Sequence, residues 1–209
     1  DLDEKLKSSN AMPFPQPMCP APGLNLRAAK KVFAEAENPL IIAGLDVVNQ
    51  KEEKTVAAVC KKFLIPLITT YKAKGVLSEN DPLSLGGHGL SSIAFSILQP
   101  LLVKSDLIIL CGYDPIEMRP EWVCPWAKKG VAVIEFSIKA NEHFAYKSDY
   151  CFVGDIGAGL LTLCEDTCPH AVWVDKEPQK IRFALKAAFP TNETWGPAAV
   201  IAAAHEAFP

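Results

Sequence analysis

No block of like charge interrupts the 209-residue chain, and its formal net charge is only −3. Without a basic surface to track a phosphate backbone, nucleic acid is not an expected partner. Nor is there an uninterrupted apolar run of the about 20 residues that a membrane span requires. The longest apolar region, "SSIAFSILQPLLVKSDLIILCG", is broken at Gln99-Pro100 and at Lys104-Ser105-Asp106 and reads as a helix, a turn and a buried strand. No basic stretch followed by an apolar core opens the chain, so neither a secretory signal nor a membrane partner is expected. Cysteine is present without a disulfide pattern: seven residues, an odd number, stand at Cys19, Cys60, Cys111, Cys124, Cys151, Cys164 and Cys168, mostly inside apolar runs. Buried thiols in a reducing compartment, and hence a cytoplasmic location, are the expectation. Cys164 and Cys168 are one helical turn apart with His170 nearby, but a zinc site wants four convergent ligands and usually tighter pairs, so no metal site is assigned.

What is there is enough for one core of about 150–200 residues, with 49% apolar and 22% charged residues, as in a soluble globular protein. Residues 1–23 carry Pro13, Pro15, Pro17, Pro20 and Pro22, which block helix and sheet ladders and favour an extended linker or strap. From there a regular alternation begins. "NLRAAKKVFAEA" has helical spacing with Asn25 placed to cap it. "PLIIAG", "IPLITT", "DLIILCG", "VAVIEF" and "YCFVGD" read as five buried strands, with "KEEKTVAAVCKKFL", "LSSIAFSILQPLL" and "IGAGLLTLCED" as helices between or after them. Strands covered on both faces and joined through helices predict a parallel sheet with right-handed crossovers. No repeat of about 20–50 residues is present to suggest a solenoid. The fold class is therefore α/β: a three-layer, doubly wound, mostly parallel sheet with helices on both faces, spanning 24–170. Residues 171–209 differ, with two helices, "EPQKIRFALKAAF" and one starting at Pro197, and no strand between them; they either cap the sheet or begin another domain.

In an open parallel sheet, ligands sit beyond the carboxyl ends of the strands. Those ends read Ala43-Gly44-Leu45-Asp46, Thr69-Thr70-Tyr71-Lys72, Cys111-Gly112-Tyr113-Asp114, Glu135-Phe136-Ser137 and Gly154-Asp155. Glycines admit a ligand to the backbone, hydroxyls and amides hold phosphate or ribose, and a carboxylate accepts from ribose, which is the pattern of a nucleotide cleft. Strand-end glycines are also ordinary turn residues, and no Gly-x-Gly-x-x-Gly turn follows "PLIIAG". His88, between Gly87 and Gly89, is expected on an exposed loop. Trp122 and Trp126 are expected to pack over the sheet edge. Paired carboxylates, a P-loop and a metal triad are all missing, so no catalytic residue is assigned.

"NPLIIAG", "IPLITTYKAKGVLSENDPLSLGGHG" and "SDLIILCGYDPIE", in this order and spacing, resemble the central domain of the thiamine-diphosphate-dependent 2-oxo-acid enzymes, the acetolactate synthase, pyruvate oxidase and decarboxylase superfamily. "AVIEFSIKANEHFAYKSDYCFVGDIGAGLLTL" is similar to that family's closing strands and helix, so the likeness covers about Pro22 to Glu165. The resemblance implies a Rossmann-like central domain preceded by a proline-containing linker. It also implies that "WGPAAVIAAAHEAFP" opens a third, diphosphate-binding domain. In the parent enzyme, thiamine diphosphate and Mg would act on a small 2-oxo acid, within a homodimer or homotetramer. The groups that bind and activate the cofactor would lie in the remaining domains of the same enzyme, leaving this chain no catalysis alone. Relatives hold FAD, ADP or a coenzyme A moiety in the central cleft, or nothing. Carried over by position, Gly44, Thr70, Lys72, Gly86, His88, Gly112, Ser137 and Asp155 would line it. The Tyr113-Asp114-Pro115-Ile116-Glu117 segment is more similar to flavin-independent acetolactate synthases than to the Arg-Phe-Asp-Asp-Arg run of the flavin-bearing ones, which argues against tight FAD binding. Two other readings share the fold: a free-standing nucleotide-binding or assembly subunit, like the epsilon-type subunit of carbon monoxide dehydrogenase complexes, and a spacer with an empty cleft.

Overall fold

The structure, a computed structural model, describes residues 17–118, 124–126, 130–140, 145–190 and 194–208; Trp122 lies outside them. Helix α1 (Leu24–Glu35) turns Leu26, Ala29 and Phe33 inward at spacings of three and four. It starts directly after Gly23, so Asn25 lies inside the first turn and does not cap it. Strands β1 (Pro39–Ala43) and β4 (Leu107–Cys111) are buried at every position, as continuous apolar runs demand in the middle of a parallel sheet. Between them come α2 (Leu45–Asn49), α3 (Glu53–Phe63), β2 (Leu67–Thr70), β3 (Ser84–His88) and α4 (Ser92–Lys104). After them follow β5 (Ala132–Ser137), β6 (Tyr150–Val153), α5 (Ile156–Cys164), α6 (Glu177–Ala188) and α7 (Pro197–Ala207).

The sheet order is β3-β2-β1-β4-β5-β6, and every neighbouring pair is parallel. The expected three-layer α/β architecture is thus present. Alternation along each strand divides the core. Ile41, Ala43, Ile109 and Phe136 face α1, α3 and α5, where Phe33 and Phe63 meet edge to face at 5.1 Å. Leu40, Ile42, Ile108 and Leu110 face α4 and the buried rings of Trp126 and Trp173. Helix α4 runs through Pro100, which lacks the donor for one helical bond, because Leu98, Leu101 and Leu102 around it are all buried against the sheet.

The sheet has one strand more than the sequence predicts. β3 lies in the stretch read as a glycine-rich loop, and it pairs with β2 through a register shift between Leu67 and Thr69. Gly86, at φ +85°, makes that irregularity possible, since a side chain would be strained there. His88 is consequently not on an exposed loop: it stands opposite Thr70 in the ladder and is 9% exposed.

The two C-terminal helices behave differently. α6 lies along the open edge of β3, where Arg182 donates from Nε to the Ser84 carbonyl at 3.2 Å and from Nη2 to the Glu79 carbonyl at 2.7 Å. Ile181 and Leu185 pack beneath it on the α4 side of the core. α7 buries no residue at all, although Val200 and Ile201 are among its side chains. No described helix is long and apolar enough to cross a membrane.

Candidate functional site

The reversal of strand order falls between β1 and β4, where chains leave the sheet in opposite directions and a crevice opens at the carboxyl ends. Here the two strand ends come together closely. The Gly44 amide donates to the Cys111 carbonyl at 2.8 Å, and a Cβ on Gly44 would lie 2.2 Å from the Gly112 carbonyl oxygen. Gly112, at φ +58°, is equally confined: a Cβ there would come within 2.8 Å of Asp46 and Ile156.

Directly after β4, Asp114 and Pro115 set up a 3₁₀ turn over Pro115–Glu117, with the Asp114 carboxylate accepting from the Ile116 amide at 2.9 Å. The turn swings Glu117 back across the strand ends, where it is 2% exposed. Its Oε2 accepts from the Thr70 hydroxyl at 2.7 Å and from the Leu45 amide at 3.2 Å, and its Oε1 lies 3.7 Å from Lys72 Nζ. Its carbonyl oxygen sits 2.2 Å from where a Cβ of Gly89 would be, so the loop leaving β3 closes over it as well. Leu45 after β1, Thr70 at the end of β2 and Lys72 just beyond it therefore converge on one buried carboxylate that the turn after β4 supplies.

Of the residues expected to line a cleft, Gly44, Thr70, Lys72 and Gly112 are gathered here. Gly86 and His88 lie one strand further out, joined through the Thr69 hydroxyl, which donates to the Gly86 carbonyl at 3.3 Å. His88 Nε2 is 2.7 Å from the Leu85 carbonyl, and its buried Nδ1 has no partner. Burial pushes the His88 imidazole below its ordinary range, opposed by the Leu85 carbonyl. Ser137 and Asp155 are at the far side, each engaged with nearby backbone. The Ser137 hydroxyl donates to the Lys139 carbonyl at 2.8 Å, while the Asp155 carboxylate caps α5 by accepting from the Ala158 amide at 2.7 Å. The extended segment at Met18 crosses the same end of the sheet, its carbonyl accepting from the Asp155 amide at 3.0 Å.

Glu117 was not among the residues expected from sequence. The signal for it was the Asp-Pro pair straight after a strand, which marks a tight turn back over the strand ends. A second buried carboxylate, Glu135 on β5, accepts from the Tyr146 hydroxyl at 2.8 Å and from Ser148. Burial, with Glu135 as a further cause, pushes the Tyr146 phenol well up. Tyr146 meets Tyr113 and Trp126 at ring separations of 5.6 and 5.5 Å, so Trp126 packs into the core. Burial pushes the Cys60 and Cys164 thiols up to about 12 and that of Cys111 well above its usual range, so these three are not activated nucleophiles. Among the described residues no three His, Cys, Asp or Glu side chains gather as a metal site. Cys164 is buried, Cys168 exposed, and His170 Nε2 is 2.7 Å from the Ala36 carbonyl.

An all-parallel sheet with helices on both faces and a glycine-lined crossover between β1 and β4 places the chain in the class of three-layer α/β domains. Residues 26–163 match the family described as "Thiamine pyrophosphate enzyme, central domain", and the chain belongs to that family. The acetolactate synthase of Bacillus subtilis is 30% identical over 172 residues, covering 80% of this chain and 29% of that protein. The acetolactate synthase large subunit of Parasynechococcus marenigrum is 25% identical over 190 residues, covering 82% of this chain and 30% of that protein. In Escherichia coli, the acetolactate synthase isozyme 1 large subunit is 29% identical over 159 residues, covering 71% of this chain and 26% of that protein. The chain thus spans less than a third of the length of these relatives.

Proposed function

We propose that this chain serves as the central domain of a longer thiamine-diphosphate-dependent carboligase of the acetolactate synthase type, acting on a small 2-oxo acid in the cytoplasm. The observation that carries the reading is the family match over residues 26–163, supported by relatives that share the acetolactate synthase name. Thiamine diphosphate, with Mg, would supply the chemistry that releases carbon dioxide from the 2-oxo acid and passes the remaining carbon unit to an acceptor. The proposed domain limits are 1–23 for the linker, 24–170 for the central domain and 171–209 for the start of the diphosphate-binding domain, the first part of which, Trp173 and α6, packs back on the central core.

Within such an enzyme this domain's own residues act as a scaffold. The sheet holds Gly44, Thr70, Lys72, Gly86, His88, Gly112, Ser137 and Asp155 at its carboxyl edge, the edge that would face the catalytic domains. α7 supports the assembly, because Val200 and Ile201 are 64% and 70% exposed and an apolar helix of this kind needs a surface to cover it. Homodimer or homotetramer formation would bring the active sites together from neighbouring copies.

The test is to compare the parent open reading frame with this chain and to assay both proteins with pyruvate, thiamine diphosphate and Mg. Carbon dioxide release and acetolactate formation by the longer protein, with none from the 209 residues alone, are expected. A reading frame that stops at Pro209, or a longer protein that releases carbon dioxide from no small 2-oxo acid, overturns the proposal.

A further inference from the structure

The strand order β3-β2-β1-β4-β5-β6 places a ligand crevice at the β1/β4 crossover, and in this architecture the usual occupant is a dinucleotide whose pyrophosphate takes hydrogen bonds from the strand-end turns. The donors for such an anion are all present: the Leu45 amide, the Thr70 hydroxyl and the Lys72 ammonium. All three point at the carboxylate of Glu117, at 3.2, 2.7 and 3.7 Å respectively. An apolar residue at this position would leave Thr70 and the Leu45 amide without their shared acceptor, in a place where Thr70 is fully buried. The chain instead brings a carboxylate there, whose desolvation is offset only because an amide, a hydroxyl and an ammonium surround it.

We infer that Glu117 is an internal surrogate ligand: its carboxylate takes the anion position of the crevice and so excludes the pyrophosphate of a nucleotide. Two features make the exclusion effective. The carboxylate neutralises Lys72, so an incoming phosphate meets a negative charge where it needs a positive one. The turn that carries Glu117 holds the carboxylate at that position, with its carbonyl packed beside Gly89 and with Gly44 close against Gly112 on the neighbouring strand end. The donor set that would suit FAD or ADP is thus already satisfied by the chain, and the crevice as built does not fit either. The inference goes beyond the carboligase reading and does not rest on it, since it concerns one carboxylate and its three donors whatever reaction the longer protein performs.

Isothermal titration of inorganic pyrophosphate and of ADP into the full chain, beside Glu117→Ala and the double variant Glu117→Ala/Lys72→Met, reads the anion position directly. The wild-type chain is expected to give no saturable signal. Glu117→Ala is expected to bind both ligands at least about a hundredfold more tightly, as a freed ammonium and two neutral donors would allow, and the added Lys72→Met to remove most of that gain. If Glu117→Ala does not fold in buffer without multivalent anions, its thermal transition is followed as pyrophosphate is added against chloride of equal ionic strength. A cooperative transition that returns with pyrophosphate supports the inference, and one that never returns overturns it. It is equally overturned by a folded Glu117→Ala that binds neither ligand, or by wild-type binding of ADP that the substitution leaves unchanged.

Discussion

Gly44 and Gly75 are both glycines close to a strand end, but they are glycine for opposite reasons. Gly44 has an ordinary extended backbone, φ −109°, and no space: a methyl group would stand 2.2 Å from a backbone oxygen that cannot move away. Gly75 has nothing within 4 Å of its missing Cβ and a backbone at φ +99° that a side chain resists. Gly44→Ala is therefore expected to cost about 3 kcal/mol or more, as overpacking into rigid backbone does. Gly75→Ala should cost about 1 kcal/mol, as conformational strain alone does. Urea unfolding of the two variants separates them. His88 adds a pH dependence. Because burial lowers its folded-state pKa from the ordinary 6.5, the unfolded chain binds the proton more readily. Stability then falls as pH drops through about 6.5 toward the lower folded value, and above 6.5 this contribution is fully present. The urea midpoint measured between about pH 7.5 and 5 should decline, and His88→Phe should remove part of that slope while leaving the carboxylates' share.

Asp155 is the clearest case in which local structure claims a residue that its position suggested for a ligand. Its carboxylate caps α5, so Asp155→Ala should cost about 1 kcal/mol in unfolding free energy, with Asp155→Ser recovering most of it. A chemical melt of the three proteins checks this. The long apolar strands and helices were legible because burial on both faces writes a continuous apolar run, as in "LIILC", and burial on one face writes spacings of three and four. β3 was not legible, because a strand reading Ser-Leu-Gly-Gly-His has neither alternation nor β-branched residues and is held by pairing with β2 rather than by its own preference. Glu117 escaped for a related reason. Its burial depends on donors at Leu45, Thr70 and Lys72, which are far away in the chain and visible only once β1, β2 and β4 are aligned. Only the Asp-Pro turn that aims it is local.

The chain as a folded body divides into a sheet that is complete and a helix that is not committed to it. α7 buries no residue, so deleting residues 196–209 should leave the thermal midpoint of the remaining chain within about 1–2 °C of the original, since a helix that covers no core removes little free energy when it goes. The same deletion should reduce binding of an apolar dye, because the exposed side chains of Val200, Ile201 and Phe208 go with it. A drop of many degrees would mean that α7 rests on the sheet after all. Deleting α6 as well should be severe, because Arg182 and its neighbours cover β3.

That cover has a consequence for how the protein is made. Ser84 and Arg182 are 98 residues apart, with Arg182 the later. Synthesis at about 5–20 residues per second leaves an interval of roughly 5–20 s in which β3 has been made and the side chain that shields it has not. Throughout that interval the outer ladder of β3 offers free amides and carbonyls to any other nascent strand. Two glycines in a five-residue strand give such a stranger few side-chain contacts to hold the pairing, so the weakness that hides β3 from sequence reading is also what guards it on the ribosome.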